Sequence, residues 1–264
     1  MNKNLLNKFA SFGYGAKGVI YLIIGGLSLL DALEMGGSTE DSKGALKTIL
    51  EQPFGKFLLG IMAVGLVGYS LWRAVQAIAD ADDHGTDAKG IVVRGGLLVS
   101  SITHGLLTFW IVQTLLGIGG SGGTKWYNTQ WASYLYLIGG IFIILAGVSF
   151  IYKGWIAEFQ KYMNLPAVWM KIVSQVGLIS RGIVWIILGG FFINSFLQFT
   201  IDDVNGLGEA LERVEESSYG DILLTLVAVG LIAFGFYSML EAKYRTIDLP
   251  SPDSVTTNTS KILN

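Results

Sequence analysis

The sequence predicts an all-α integral membrane protein whose six transmembrane helices form three parallel two-helix repeats with pseudo-threefold symmetry. Three observations predict it. Six apolar stretches are each long enough to cross hydrocarbon. A glycine–basic–aromatic pattern occurs near the start and returns 164 residues later, with a weaker version between. Charge is also scarce, at 14% of residues against 52% hydrophobic, with a mean hydropathy of +0.54. Soluble domains carry about a quarter charged residues, so a water-facing surface cannot be built from this composition.

A crossing helix needs about 20 mostly apolar residues. The first stretch runs from Gly15 to Leu33, with Lys17 at its start and Asp31 near its end; the second runs from Phe57 to Ile78 and contains Arg73. The third lies within Gly96–Ile118 and holds His104, and the fourth spans Ala132–Ile151. The fifth, Leu178–Ile201, is interrupted by Arg181, and the sixth, Ile222–Leu240, is uncharged. Lipid-exposed backbone must satisfy its own hydrogen bonds, which leaves helices or closed barrels. Continuous rather than alternating runs select helices. Only Lys43, Lys47, Lys56, Lys125 and Arg213 of the 18 Lys and Arg fall on one side. The positive-inside rule therefore puts both termini in the cytoplasm, and helical spans suit the cytoplasmic membrane. The first stretch is not a secretory signal, because its pattern recurs in the fifth, where no signal can lie.

The copied pattern is specific. Gly13-Tyr-Gly-Ala-Lys17-Gly18-Val-Ile-Tyr21, followed by Gly25-Gly26, is answered by Gly177-Leu-Ile-Ser-Arg181-Gly182-Ile-Val-Trp185, followed by Gly189-Gly190. In the second helix of each unit Ala63-Val64-Gly65-Leu66 returns as Ala228-Val229-Gly230-Leu231, Gly55 as Gly220, and Trp72 as Tyr237. The middle unit puts Gly96, Ser100 and His104 in the slots of Gly13, Lys17 and Tyr21, and Tyr152-Lys153 in those of Trp72-Arg73. Units with two spans enter from the same face, so the copies are parallel and their axis runs along the membrane normal. The resulting division is a cytoplasmic N-terminus (1–11), repeat 1 (12–80), a linker (81–93), repeat 2 (94–163), a linker (164–176), repeat 3 (177–245) and a tail (246–264) expected to be disordered. Gly18, Gly25, Gly182 and Gly189, seven apart in each pair, are expected at helix-packing seams.

On these residues the chain resembles the bacterial membrane family called domain of unknown function 1206. The resemblance rests on Gly13 to Tyr21, Gln52-Pro-Phe-Gly55, Gly68-Tyr-Ser-Leu-Trp-Arg73 and Lys153-Gly-Trp-Ile-Ala-Glu-Phe159, and covers about Phe12 to Arg245. It implies a three-repeat, six-span architecture and no particular activity.

The loops add two expectations. Ala45, Leu46, Ile49 and Leu50, and in the third repeat Ala210, Leu211 and Val214, have the spacing of short amphipathic helices that lie on the membrane or cap the bundle. Glu209, Glu212, Glu215 and Glu216 give the second an acidic face, with Asp202, Asp203 and Asp221 nearby. Trp155, Phe159 and Tyr162 lie at i, i+4 and i+7, as interfacial anchors on one helix face closed by Pro166 would.

Chemistry is sparse. Gly119-Gly-Ser-Gly-Gly-Thr-Lys125 fails the phosphate-loop spacing at Thr124 and reads as a linker. Asp80-Ala-Asp82-Asp83-His84-Gly85 opens like a calcium loop, but its twelfth position is Ile91 rather than a bidentate Glu. With no Cys and two His, no thiolate or His-rich metal centre is available, and no metal or other cofactor is expected. A net charge of −2 points away from nucleic acid and leaves membrane lipid, and a protein not identified by sequence, as partners.

The remaining candidates are polar groups at membrane depth. Ser101, His104 and Thr108 form one stripe on the third span; Asp31, Gln113 and Asn194 form an outer collar; Lys17 and Arg181, with Ser100, form an inner one. The leading reading is a scaffold that binds lipid or protein, with the stripe joining helices and the basic residues snorkelling to the interface. The alternative is a channel or transporter along the pseudo-threefold axis, lined by His104 and the Lys17/Arg181 collar. No acid–base or metal constellation supports an enzyme, with lipid or quinone chemistry the remaining possibility.

Overall fold

A computed structural model of the chain describes residues 3–118, 130–198, 211–212, 215 and 219–246. The helices are α1 (Lys3–Ala32), α2 (Ser42–Leu50), α3 (Gly55–Ala79), α4 (Ala88–Leu116), α5 (Gln130–Trp155), α6 (Val168–Gln198) and α7 (Gly220–Tyr244), with a 3₁₀ turn at Glu158–Lys161. Among the described residues there is no strand, and one isolated bridge joins Met163 to Arg245. Six of these helices are long and apolar enough to cross a membrane, as a multi-pass membrane protein requires. The glycine-rich 119–125 segment, most of the acidic stretch and the tail from 247 lie outside the described residues.

Three helices start well before the apolar runs that announced them. α1, α4 and α6 have 30, 29 and 31 residues. At 1.5 Å per residue each is about 45 Å long, half as long again as the hydrocarbon. Their extra turns lie at the end where α1 begins and α7 stops, here termed the base. Asp caps fix two starts. The Asp41 carboxylate accepts from the Lys43 and Gly44 amides above α2, and Asp87 accepts from the Gly90 amide above α4. The expected cap helix in the first repeat is α2, which buries Ala45, Leu46 and Ile49. Of its counterpart, Leu211 is helical and buried, while Ala210 and Val214 lie outside the described residues.

The expected helix bearing Trp155, Phe159 and Tyr162 on one face is corrected. α5 stops at Trp155, Ala157 takes a left-handed conformation (φ 52°), and the chain re-forms as the 3₁₀ turn. The break rotates Phe159 inward. It is buried against Phe234 and Tyr237 of α7, with ring centroids 5.9 Å from Tyr237. Trp155 stays exposed; Tyr162 packs under the Arg245 guanidinium at 4.9 Å, and its carbonyl accepts from the Thr246 amide at 2.8 Å.

The spanning helices pack in the order α4–α3–α1–α7–α6–α5, each against its neighbours in that series. Among the described residues α4 and α5, at the two ends, share no comparable seam. They are also the least enclosed, with 17% of each apolar window buried against 50% for α1 and α7.

Within a repeat, the seams of the first and third copies correspond. A Cβ on Gly13 would meet Tyr69 and the Gly65 carbonyl; one on Gly177 would meet Ala233 and Phe234. Gly65 faces Ala16, and Gly230 faces Ser180. Between repeats, α1 crosses α7 where Gly18 meets Gly235 and Gly25 meets Ala228, while α6 crosses α5 where Gly182 meets Gly147 and Gly189 meets Gly140. Three of these four crossings set glycine against glycine, so that both Cβ atoms are absent, and Gly25 meets the small Ala228. At α3–α4 serines replace the glycines. The Ser70 hydroxyl donates to the Ser101 carbonyl at 2.7 Å and Ser101 donates back to the Ser70 carbonyl at 2.8 Å.

These contacts separate two classes of glycine. A Cβ at position 182 would lie 2.5 Å from the Gly147 carbonyl oxygen, whereas position 190 has nothing within 4 Å. Gly182→Val is expected to cost at least about 1–3 kcal/mol. Gly190→Ala should be neutral or stabilising by up to about 1 kcal/mol. Unfolding midpoints in a mild detergent measure both.

Candidate functional site

Lys17 lies one turn above Tyr14 on α1, and both face α3 and α7 rather than lipid. The side chain of Lys17 is 4% exposed. Its ammonium is 3.6 Å from Glu241 Oε2 on α7 and 3.5 Å from the Tyr69 hydroxyl on α3. From Tyr69 the contacts continue around a closed circuit. Arg73 Nε donates to the Tyr69 hydroxyl at 2.9 Å and Arg73 Nη1 to Gln76 Oε1 at 3.1 Å. Gln76 Nε2 donates to Asp82 Oδ2 at 2.6 Å, and Arg245 Nη2 to the same oxygen at 2.9 Å. Arg245 Nη1 then reaches Glu241 Oε1 at 3.1 Å and closes the ring.

Tyr14 fills the centre. It is fully buried, receives the Trp72 indole N–H at 3.2 Å, and has Lys17, Arg73 and Arg245 at 5.5–5.7 Å from its ring centroid. Cations over an aromatic face gain electrostatic attraction without needing a counter-charge. The circuit ties α1, α3, α7 and the α3–α4 turn together with three bases and two acids.

Helical spacing brings these groups to one place. Tyr69, Arg73 and Gln76 succeed one another on one face of α3, as Glu241 and Arg245 do at the end of α7. The Asp80–Gly85 turn, whose composition opens like a calcium loop, is built otherwise. Asp80 accepts the His84 and Gly85 amides at 2.8 Å each, and Asp82 serves Gln76 and Arg245.

Above the ring, three aromatic pairs join α1 to α7, α4 to α3 and α6 to α5. Tyr21 meets Phe234 at 4.7 Å, His104 meets Tyr69 at 4.6 Å, and Trp185 meets Phe150 at 5.4 Å. Phe150 follows its seam residue Gly147 by three positions, whereas Tyr69 and Phe234 precede Ser70 and Gly235 by one. The third pair is therefore displaced by about one helical turn.

Arg181 differs from Lys17 in its company. It is buried, at 7% exposed, and packs its guanidinium 4.3 Å from the Phe234 centroid, 5.0 Å from Tyr21 and Phe150 and 5.2 Å from Trp185. Its Nε and Nη1 are buried without a hydrogen-bond partner among the described residues. Neither Lys17 nor Arg181 snorkels; both point into protein.

The other sequence candidates are dispersed. Ser101 joins α4 to α3 through Ser70. Thr108 bonds the His104 carbonyl one turn back at 2.9 Å, and His104 Nδ1 is 2.8 Å from the Ser100 carbonyl, which assigns the proton to that nitrogen. Asp31 and Gln113 are half-buried near the far ends of α1 and α4, and Asn194 is exposed on α6. Sequence reasoning missed Tyr14, Gln76, Asp82 and Arg245. The local signal for one link was Glu241 and Arg245 at i and i+4.

A family profile described as Domain of Unknown Function (DUF1206) matches residues 12–80 and 176–245. An "Uncharacterized protein YxxB" of Bacillus subtilis (strain 168) is 30% identical over 259 residues, covering 92% of each chain. The chain belongs to the DUF1206 family. The two profile matches contain the two copies of the motif beginning at Gly13 and Gly177 in this DUF1206 protein. No solved structure matches the chain.

Two predictions test the ring. Glu241→Gln leaves Lys17 buried without its carboxylate and should cost about 3–5 kcal/mol. Lys17→Met combined with Glu241→Leu should cost less than Glu241→Gln alone, because the ammonium is removed with its carboxylate while Arg245 keeps Asp82; unfolding in detergent compares them. At the turn, burial pushes the His84 imidazole below its usual 6.5, against the pull of Asp82. The folded state thus favours neutral His84, and its contribution is present above pH 6.5 and lost as pH falls below it. His84→Gln should flatten the decline in unfolding midpoint on the acid side.

Proposed function

We propose that this chain is a scaffold of the cytoplasmic membrane. It is a pseudo-threefold bundle with both termini inside, and it binds lipid or a protein partner rather than passing a solute along its axis. The pseudo-threefold arrangement is supported by the packing order, in which first and second helices alternate, and by the three aromatic pairs that each link one repeat to another. The orientation is supported by the excess of Lys and Arg at the base.

The observation that carries the scaffold reading is what fills the bundle. Toward the far end, Ile20, Ile24, Ile111, Val184, Leu224 and Leu231, drawn from α1, α4, α6 and α7, are buried in one apolar cluster. Toward the base, the ring closes around Tyr14 and Trp72, both 0% exposed. A conduit needs wet polar walls on a continuous path. Opening one here would expose the apolar cluster and break a ring in which each loss strands a buried charge.

Purified protein in liposomes should therefore leave a broad panel of ions and small solutes impermeant, at the rate of protein-free vesicles. Reproducible single-chain pores, or a flux altered by His104→Ala, would overturn the reading and favour the channel alternative.

A further inference from the structure

The three repeats place three versions of one slot around the bundle. In the first, Lys17 of α1 meets Glu241 of the neighbouring α7. The 165-residue displacement that carries Trp72 to Tyr237 carries Gln76 to Glu241, and the 80-residue displacement that carries Trp72 to Tyr152 carries Gln76 to Ile156. By the same alignment the second slot would set Ser100 of α4 against Gln76 of α3, neutral with neutral. In the third, the residue aligned with Glu241 is Ile156, an exposed hydrocarbon just after α5, so the alignment gives Arg181 of α6 no acid.

The side chain of Arg181 bears out that count. Nε and Nη1 are buried and have no hydrogen-bond partner among the described residues, and the surrounding groups are the rings of Tyr21, Phe150, Trp185 and Phe234. Cation–π contact offsets part of the charge but satisfies no N–H in the guanidinium plane. Guanidinium stays protonated in proteins, so the site cannot neutralise itself as a buried lysine could. Its planar donors match two oxygens of a carboxylate or phosphate.

We propose that Arg181 binds an exogenous oxyanion, a carboxylate or phosphate, in the slot that Glu241 fills beside Lys17. The site lies against Phe150 of α5, and among the described residues α4 and α5 share no close seam; that side is where an amphiphile would present its headgroup from the bilayer. The four rings line the site for its apolar portion. This deepens the scaffold reading by naming a ligand class.

The test uses the full chain purified in an uncharged detergent, with the unfolding midpoint followed during titration. The probes are inorganic phosphate, dioctanoyl phosphatidylglycerol, and sodium chloride at matched ionic strength. Phosphate, phosphatidylglycerol or both should raise the wild-type midpoint saturably by several degrees, with no such effect of chloride. A response to phosphatidylglycerol alone identifies the lipid as the source, and a response to both identifies the oxyanion as sufficient. Arg181→Gln should weaken the apparent affinity at least tenfold. Phe150→Glu supplies a carboxylate on α5 next to Arg181. It should raise the anion-free midpoint and abolish the response, and it decides the question if Arg181→Gln does not fold. A wild type indifferent to both probes, or variants that respond as wild type does, would sink the proposal. That failure leaves the scaffold reading standing, whereas liposome flux would remove the scaffold reading without altering this titration.

Discussion

A fixed charge surrounded by protein and lipid needs a partner, and the Lys17–Glu241 pair is where this chain meets that need first. The two residues are 224 positions apart and belong to the first and last spanning helices. Their 3.6 Å contact fixes the depth of α1 against α7, because sliding either helix by one turn, about 5.4 Å, would strand both charges. The rest of the base follows. Glu241 has a second oxygen, which Arg245 takes; Arg245 has a second donor, which Asp82 takes; and Asp82 draws the α3–α4 turn beneath the bundle. The pair is worth little as an isolated attraction. Its value lies in the cost of leaving either partner alone.

Close backbone approach is the second constraint, and it acts at right angles to the first. Lipid tails are as apolar as leucine, so helices associate through packing rather than hydrophobic exclusion. Glycines supply that packing at α1–α7 and α5–α6, where a carbonyl of one helix lies over a glycine of the other. At α3–α4 the same crossing is made by the reciprocal Ser70–Ser101 bonds. Serine keeps the helices further apart but returns hydrogen bonds, each worth about 1 kcal/mol in a membrane. The polar stripe on the third span is thus in part the middle repeat's substitute for a glycine seam.

Much of this was legible in the sequence, for reasons that mark where legibility stops. Length and continuity of apolar runs give spanning helices directly, since hydrocarbon thickness is fixed. Spacing of seven shows that Gly18 and Gly25 share a face, but not that Gly235 and Ala228 lie opposite, because periodicity describes one helix at a time. The Trp155–Phe159–Tyr162 spacing read as continuous because neither Gly nor Pro marks the break, which sits at an alanine with φ 52°. The ring was illegible for a stronger reason. Asp82 is 163 residues from Arg245, and each member has an ordinary local reading as turn former, snorkelling base or helix-end charge.

On the proposed three-repeat reading, divergence among the copies explains why the bundle is not uniform. A true threefold axis would place the same pair in all three slots and hold all three sides equally. Here the Lys17 side is tied by ionic bonds, the Ser100 side carries no charge to tie, and the Arg181 side has charge without a tie. On that reading α4 and α5 border the two weaker slots, and among the described residues they have the least burial and no close seam between them. Loss of the acid and loss of enclosure therefore coincide in one sector. Replacing Arg181 by an apolar residue would remove a buried charge whose Nε and Nη1 find no acceptor among the described residues. The oxyanion proposed for that slot would supply the tie that Glu241 gives Lys17.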